Sequence, residues 1–322
     1  MKKKQWIVLG LFILAAAALT LLLVPRGWRA PSQREIMAVA ESLKDEAKAM
    51  PVYEGYTFIV DPEDLSARED VDEDWQHILL IGTDTREGEL NAGRSDAMLV
   101  ASVNDTTKEI RVTSLVRDMF VNIPGFKSDN RINATNVFGG PLLAIKTVNE
   151  LLELNITKYV SVNFKGFINI VNMLGGVDVV LEKDVAWAFK LPYTGEKQNL
   201  NGGLTLRYAR IRKVDNNFGR NERQREVLNA LLDKLSGKSA GEIFDLLPEV
   251  LKFVVTNMSA SDIMSLLPLL IGNTEGVQTL SLPPKGTYRF ARSAHDQSII
   301  AFNLRQTREA FRAFIAGTPE GE

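Results

Sequence analysis

HILLIGTDTR, residues 77–86, is the stretch that decides the fold. Ile78, Leu79, Leu80 and Ile81 form an unbroken apolar run closed by Gly82. Such a run is short for a helix and suits a strand buried on both faces. Thr83, Asp84, Thr85 and Arg86 follow at once, so polar and charged groups stand where the strand ends. Open α/β sheets place their ligand groups in loops at strand ends.

Working outward, the same pattern recurs. Ala97 to Val103 and Ile110 to Val116 read as further strands, with Arg94-Ser95-Asp96 before the first and Arg117-Asp118 closing the second. Pro141 suits the first turn of a helix reaching about Leu154, because its missing N–H costs nothing there. Tyr159 to Val162 is read as a strand, Phe164 to Met173 as a helix and Val177 to Leu181 as a strand after the Gly175-Gly176 turn. Arg220 to Leu235 is amphipathic, and two more helices are expected over about Ala240 to Leu270. Val277 to Leu282 reads as a late strand and Ser298 to Ile315 as a closing helix. Strands alternate with helices, so the expected class is α/β, a central sheet sandwiched between helices over residues 75–318.

The N-terminus sets the expected compartment. Residues 1–5 carry three lysines, and Trp6 to Val24 contains no charged residue. Nineteen helical residues rise about 28 Å, close to a bilayer's hydrocarbon thickness. The leading lysines favour a cytoplasmic tail, a single-pass anchor over 6–24 and an extracytoplasmic domain. A cleaved signal peptide is the competing reading, but no small-x-small site follows Val24 directly. Residues 25–74 read as a helix, then an acidic linker. With no cysteine in the chain, disulfides and thiolate metal sites are excluded.

Charge is concentrated in one place. Between Arg207 and Arg225 lie seven basic side chains against Asp215 and Glu222, in a chain of formal charge −2. Six are arginines, whose flat guanidinium forks match phosphate or carboxylate oxygens in pairs. A solvated helix face is the plain alternative. Asp84 and Asp96 together suit one Mg²⁺, which takes one or two carboxylates and completes its shell with water and substrate phosphate. Arg86, Arg94 and Arg117 are placed to join the later arginines around the same anion. Each Arg-Asp neighbour pair also reads as a structural ion pair or a turn cap.

Other signals carry less. Gly237-Lys-Ser239-Ala-Gly241 matches a nucleophile elbow in letters, but it follows an amphipathic helix instead of a strand. His77 and His295 lack zinc-ligand spacing. Phe164, Phe167, Val171, Val227 and Leu231 supply apolar bulk near the expected site, as core or as the wall of a lipid channel.

In this order the motifs resemble the LytR-CpsA-Psr family of bacterial cell-envelope proteins. The matching elements are Gly82-Thr83-Asp84-Thr85-Arg86, Arg94-Ser95-Asp96, Arg117-Asp118, Arg131-Ile132-Asn133-Ala134 and Gly139-Gly140-Pro141. They continue through Phe164 to Phe167, Gly175 to Val177, Leu200 to Gly202, Tyr208 to Arg212 and Gly219 to Gln224. Departures fall at Met119 in place of a threonine, at Asn216-Asn217 in an acidic motif, and at Thr135-Asn136 in place of an aromatic. The resemblance implies a mixed sheet behind a single transmembrane helix, and a Mg²⁺-dependent phosphotransferase. Such an enzyme moves a glycopolymer from a polyprenyl-pyrophosphate carrier to peptidoglycan; nucleic acid is not an expected partner. By the same resemblance Asp84 and Asp96 are metal ligands. Arg86, Arg117, Arg210, Arg212 and Arg220 are pyrophosphate ligands, with Arg223 and Gln224 nearby. Asp118 orients an arginine or accepts the acceptor's proton. A pyrophosphatase acting on the same lipid, or a non-catalytic lipid-phosphate-binding regulator, uses the same residues.

Overall fold

The computed structural model describes residues 58–65, 74–85, 93–209, 248–259 and 277–317, with single positions between 211 and 266. The expected anchor, the helix after it, the Gly237–Gly241 match and most of the arginine-rich stretch lie outside the described residues. Among the described residues no helix is long and apolar enough to cross a membrane.

A six-stranded mixed sheet organises the chain. Its strands are β1 (Trp75–Thr83), β2 (Ser95–Asn104), β3 (Ile110–Leu115), β6 (Lys158–Asn163), β9 (Val254–Thr256) and β10 (Val277–Leu282), in the spatial order β10-β3-β2-β1-β6-β9. Between these in sequence lie the ribbons β4 (Phe120–Val121) with β5 (Asn130–Arg131) and β7 (Val177–Val180) with β8 (Lys197–Leu200). The hairpin of β11 (Tyr288–Arg292) and β12 (Ser298–Phe302) follows β10. β1 pairs antiparallel with β2 and parallel with β6, and β10 pairs parallel with β3. Leu79, Leu80 and Ile81 are fully buried, so both faces of β1 are covered. That is why its sequence is continuously apolar instead of alternating.

Five helices have defined bounds: α1 (Thr135–Leu152), α2 (Phe164–Met173), α3 (Lys183–Phe189), α4 (Gly202–Tyr208) and α5 (Leu304–Ala316). α1 is kinked at Gly139 and Gly140, and Pro141 opens its second segment as expected. Gly140 has φ 66°, and a Cβ on Gly139 would lie 2.5 Å from the Phe58 carbonyl, so both positions call for glycine. α5 packs on α1 through charge-assisted bonds: Arg308 donates to the Leu151 and Glu150 carbonyls and to Glu153, satisfying carbonyls orphaned at the end of α1. The Leu200-Asn201-Gly202 motif explains α4. The Asn201 side chain accepts from Leu204 N–H at 2.9 Å, and Gly202 lets the helix approach Ile168 of α2, where a Cβ would meet backbone at 2.2 Å.

Two expectations need correction. The closing helix expected from Ser298 begins only at Leu304, because Ser298–Phe302 pairs with Tyr288–Arg292 as a hairpin. The helical reading of 240–270 is interrupted by β9, which closes the sheet edge against β6.

Candidate active site

Strand direction brings the polar groups together. β1, β3, β6 and β10 run the same way, so their carboxyl ends share one edge with the start of the antiparallel β2. At that edge stand Thr83 at the end of β1 and Asp84 after it, Ser95 at the start of β2, and Arg117 and Asp118 just beyond β3. The β1–β2 register shifts between Gly82 and Thr83, which pair with Ala97 and Ser95, and leaves Asp96 as the unpaired extra residue. The backbones of Asp84 and Asp96 therefore meet at one strand end; the Asp96 side chain lies outside the described residues.

Asp118 is the centre of the described charges. Its Oδ1 lies 3.4 Å from Arg117 Nε and 3.6 Å from Arg131 Nη1. Arg117 and Asp118 are buried, at 3 % and 8 % exposure. The β4–β5 ribbon holds Arg131 beside them by pairing it with Phe120. Two backbone bonds lock the turn, from Ile132 N–H to the Met119 carbonyl and from Asn133 N–H to the Arg117 carbonyl. Burial pushes Arg131 below the usual arginine value; Asp118 opposes this, while Arg94 and Arg117 add to it. The depression comes first from loss of water around the guanidinium and only then from its arginine neighbours, and arginine stays protonated at neutral pH throughout.

Neutral polar groups line the same region. Both amide atoms of Asn133, which is 1 % exposed, have no hydrogen-bond partner among the described residues, and the same holds for Thr85 Oγ1. Asn136 Nδ2 donates to the Gly93 carbonyl, tying the start of α1 to the loop that leads into β2. Asp84 is exposed, and its Oδ1 accepts from Arg94 N–H at 3.1 Å. Arg94, Arg117 and Arg131 share this edge with Asp84, Asp96 and Asp118, three residues of each sign. A bound oxyanion would supply an acceptor to buried donors such as Asn133 Nδ2.

Of the expected site residues, Asp84, Arg117 and Asp118 lie together at this edge. Arg86, Arg210, Arg212, Arg220 and Gln224 lie outside the described residues. Arg223 is buried, with Nη1 3.3 Å from Glu182 at the start of α3. Beside it Tyr208 O–H donates to Glu226 at 2.5 Å. Arg131 carried no assigned role in the sequence reading. The available signal was its place in Arg131-Ile-Asn-Ala, just ahead of the glycine-kinked helix.

The residues present fit a magnesium ion. The Asp84 carboxylate is solvent-exposed and orientated by a backbone donor, and the Asp96 backbone belongs to the same strand end. Among the described residues no group of three or more His, Cys, Asp or Glu side chains converges, a donor set different from that of a closed zinc site.

The LytR_cpsA_psr family model matches residues 37–309. The chain is 31 % identical over 255 residues to the polyisoprenyl-teichoic acid–peptidoglycan teichoic acid transferase TagV of Bacillus subtilis, covering 76 % of this chain and 65 % of that protein. It is 36 % identical over 190 residues to the TagU transferase of Enterococcus faecalis, covering 58 % of this chain and 62 % of that protein. The matched region thus spans somewhat under two thirds of each of these relatives. A solved structure of TagT bound to LIIa-WTA superposes with a TM-score of 0.60 at 25 % identity, covering 85 % of this chain and 98 % of that one. The chain belongs to the LytR_cpsA_psr family.

Proposed function

We propose that this chain is a membrane-anchored, Mg²⁺-dependent phosphotransferase. It moves a glycopolymer from a polyprenyl-pyrophosphate carrier to peptidoglycan, on the outer side of the cell membrane. The observation that carries the reading is the group of buried Arg117 and Asp118 with half-buried Arg131, at the carboxyl edge of the sheet that also carries Asp84. The names of the TagV and TagU relatives support the substrate class.

The step balances simply. A sugar hydroxyl oxygen attacks the phosphorus nearer the polymer, and a new P–O ester bond forms. The P–O bond to the second phosphate breaks, and polyprenyl monophosphate leaves with that electron pair. The hydroxyl proton passes to solvent or a nearby base. Charge gathers on the phosphoryl oxygens, so the protein's contribution is positioning and neutralisation. Arg117 and Arg131 bind those oxygens, and Asp118 holds the two guanidiniums apart from each other. Asp84 and Asp96 would hold Mg²⁺, which when bound neutralises phosphoryl charge.

The test follows turnover of a polyprenyl-pyrophosphoryl saccharide in the presence of peptidoglycan. Asp84→Ala and Asp96→Ala are expected to fold and to lose Mg²⁺-dependent turnover; unchanged magnesium dependence in both removes them as ligands. Arg210→Lys and Arg212→Lys keep charge but lose the bidentate fork, a loss of about 1.5–3 kcal/mol for a charge-assisted bond, or roughly tenfold or more in rate. Arg225→Lys, outside the matched motif, is expected to be neutral. Equal behaviour of all three variants contradicts a phosphate-gripping cluster.

A further inference from the structure

Residues 58–65 form a strap laid along α1 before the chain enters β1. Phe58 N–H donates to the Phe138 carbonyl at 3.0 Å, Lys146 pairs with Asp64, and Asn149 Nδ2 donates to the Leu65 carbonyl at 2.5 Å. The two ends of the strap therefore sit at opposite ends of the helix. The start of α1 directly follows Arg131-Ile132-Asn133-Ala134 at the site, whereas its far end leads towards the start of β6.

At the site end, Phe58 grips the 122–129 loop that joins β4 to β5. Its ring meets Phe126 with centroids 5.8 Å apart, and Phe126 stacks on Phe138 at 4.9 Å. The approach is so close that a Cβ on Gly125, whose φ is 83°, would stand 2.1 Å from the Phe58 ring. Ile123 is buried and anchors the first half of the loop. Lys127, Ser128 and Asp129 are exposed, so Phe126 is the last packed residue before β5. The β4–β5 ribbon has only two residue pairs, too few to hold itself. The Arg131 guanidinium is loosely held as well. Its contact with Asp118 is 3.6 Å, and its Nε has no hydrogen-bond partner among the described residues. Backbone bonds from Ile132 and Asn133 fix the chain after Arg131, and the aromatic contact fixes the chain before it.

We propose that Phe58 is a positioning residue for Arg131. By clamping Phe126 against Phe138 it sets the approach of β5, and with it the reach of the Arg131 guanidinium to a phosphoryl oxygen. The proposal rests on the reading of Arg131 as a phosphate ligand given above. Without the ring, the loop must be ordered at the moment of binding, which costs affinity.

The experiment uses the full chain in detergent micelles and measures inorganic pyrophosphate binding by calorimetry. Arg131→Ala is expected to weaken binding roughly tenfold or more, the loss of one charge-assisted bond. Phe58→Ala weakens it by up to that same roughly tenfold. Phe58→Leu keeps apolar bulk and shows a smaller loss in the same direction, so it carries the test if Phe58→Ala does not fold. Leu65→Ala, at the far end of the same strap, lowers the thermal midpoint but leaves affinity within about twofold. In an Arg131→Ala background, Phe58→Ala produces no further loss of affinity, because the group it positions is gone. Unchanged affinity in both Phe58 variants overturns the proposal. So does an equal loss in Leu65→Ala, or a loss that persists in the Arg131→Ala background, since either describes general loosening. If wild type binds no pyrophosphate, or Arg131→Ala binds as wild type does, the phosphate reading of Arg131 fails. Hydrogen exchange over residues 122–131 then decides the hold of the strap without a ligand. Faster exchange in the Phe58 variants than in Leu65→Ala supports the clamp, and equal exchange overturns it.

Discussion

Asp118→Asn removes the charge that offsets the repulsion of buried Arg117 and half-buried Arg131 while leaving the side-chain shape. At 3.4 Å and 3.6 Å from Arg117 and Arg131, each contact is worth about 5 kcal/mol gross at an effective dielectric near 20. Desolvation of the three groups offsets much of that, and removing one partner of a buried pair typically costs about 3–5 kcal/mol net. Both separations are longer than a good hydrogen bond, so the expected loss is near the lower end, about 3 kcal/mol. For a domain of this size that corresponds to a fall in Tm of about 6–12 °C in differential scanning calorimetry. The same variant has two unneutralised arginines facing the ligand position. Inorganic pyrophosphate is therefore expected to raise the Tm of Asp118→Asn by more than it raises that of the wild type. If Asp118 is instead a proton acceptor with no hold on the arginines, turnover falls with little change in stability and no gain in pyrophosphate stabilisation. That result refutes the neutralising role.

Tyr208→Phe removes the donor to Glu226 Oε2 while Val180 N–H still reaches Oε1, and is expected to cost about 1.5–3 kcal/mol in urea unfolding. Burial first, and then Glu226, holds the Tyr208 hydroxyl well above its usual range, so this contribution persists through alkaline pH. Asp262 links β6 to the segment after β9 by accepting from Lys158 at 2.6 Å and from Ser259 N–H at 2.7 Å. Burial works to raise its pKa, and the Lys158 and Ser259 bonds more than offset it, so the folded carboxyl titrates below the unfolded one. Its stabilisation is present above the unfolded value near 3.9 and is lost as pH falls through the folded value. Asp262→Asn is accordingly expected to be less stable than wild type at neutral pH and to converge with it in acid, followed by urea midpoints across that range.

Legibility from sequence tracked the strength of each local signal. Val277–Leu282 and Phe164–Met173 appear at the bounds read from sequence, the second because Asn163 caps it and accepts from Gly166 N–H at 2.8 Å. β9 has three residues, too few to show a period of two, and its valines sit in apolar surroundings that also suit a helix. The β11–β12 hairpin was hidden because an apolar Ile299-Ile300 pair next to Leu304 and Phe311 continues naturally into a helical pattern. At the site, Asp84, Arg117 and Asp118 were legible as polar groups ending apolar runs. Arg131 was not, because two-residue strands leave no periodicity, and its approach to Asp118 is set by tertiary pairing. Arg223 belongs to one basic cluster in sequence, and its burial against Glu182, 41 residues away, is set by tertiary packing.

The central claim is that one phosphorus of the carrier pyrophosphate stays with the polymer in a new ester to peptidoglycan. Mass analysis of muropeptides released after incubating the full chain with a polyprenyl-pyrophosphoryl saccharide, peptidoglycan and Mg²⁺ tests it directly. The account predicts a muropeptide bearing the saccharide through a single phosphate, with polyprenyl monophosphate formed in equal amount. Saccharide phosphate released free, with unmodified muropeptides, would contradict it.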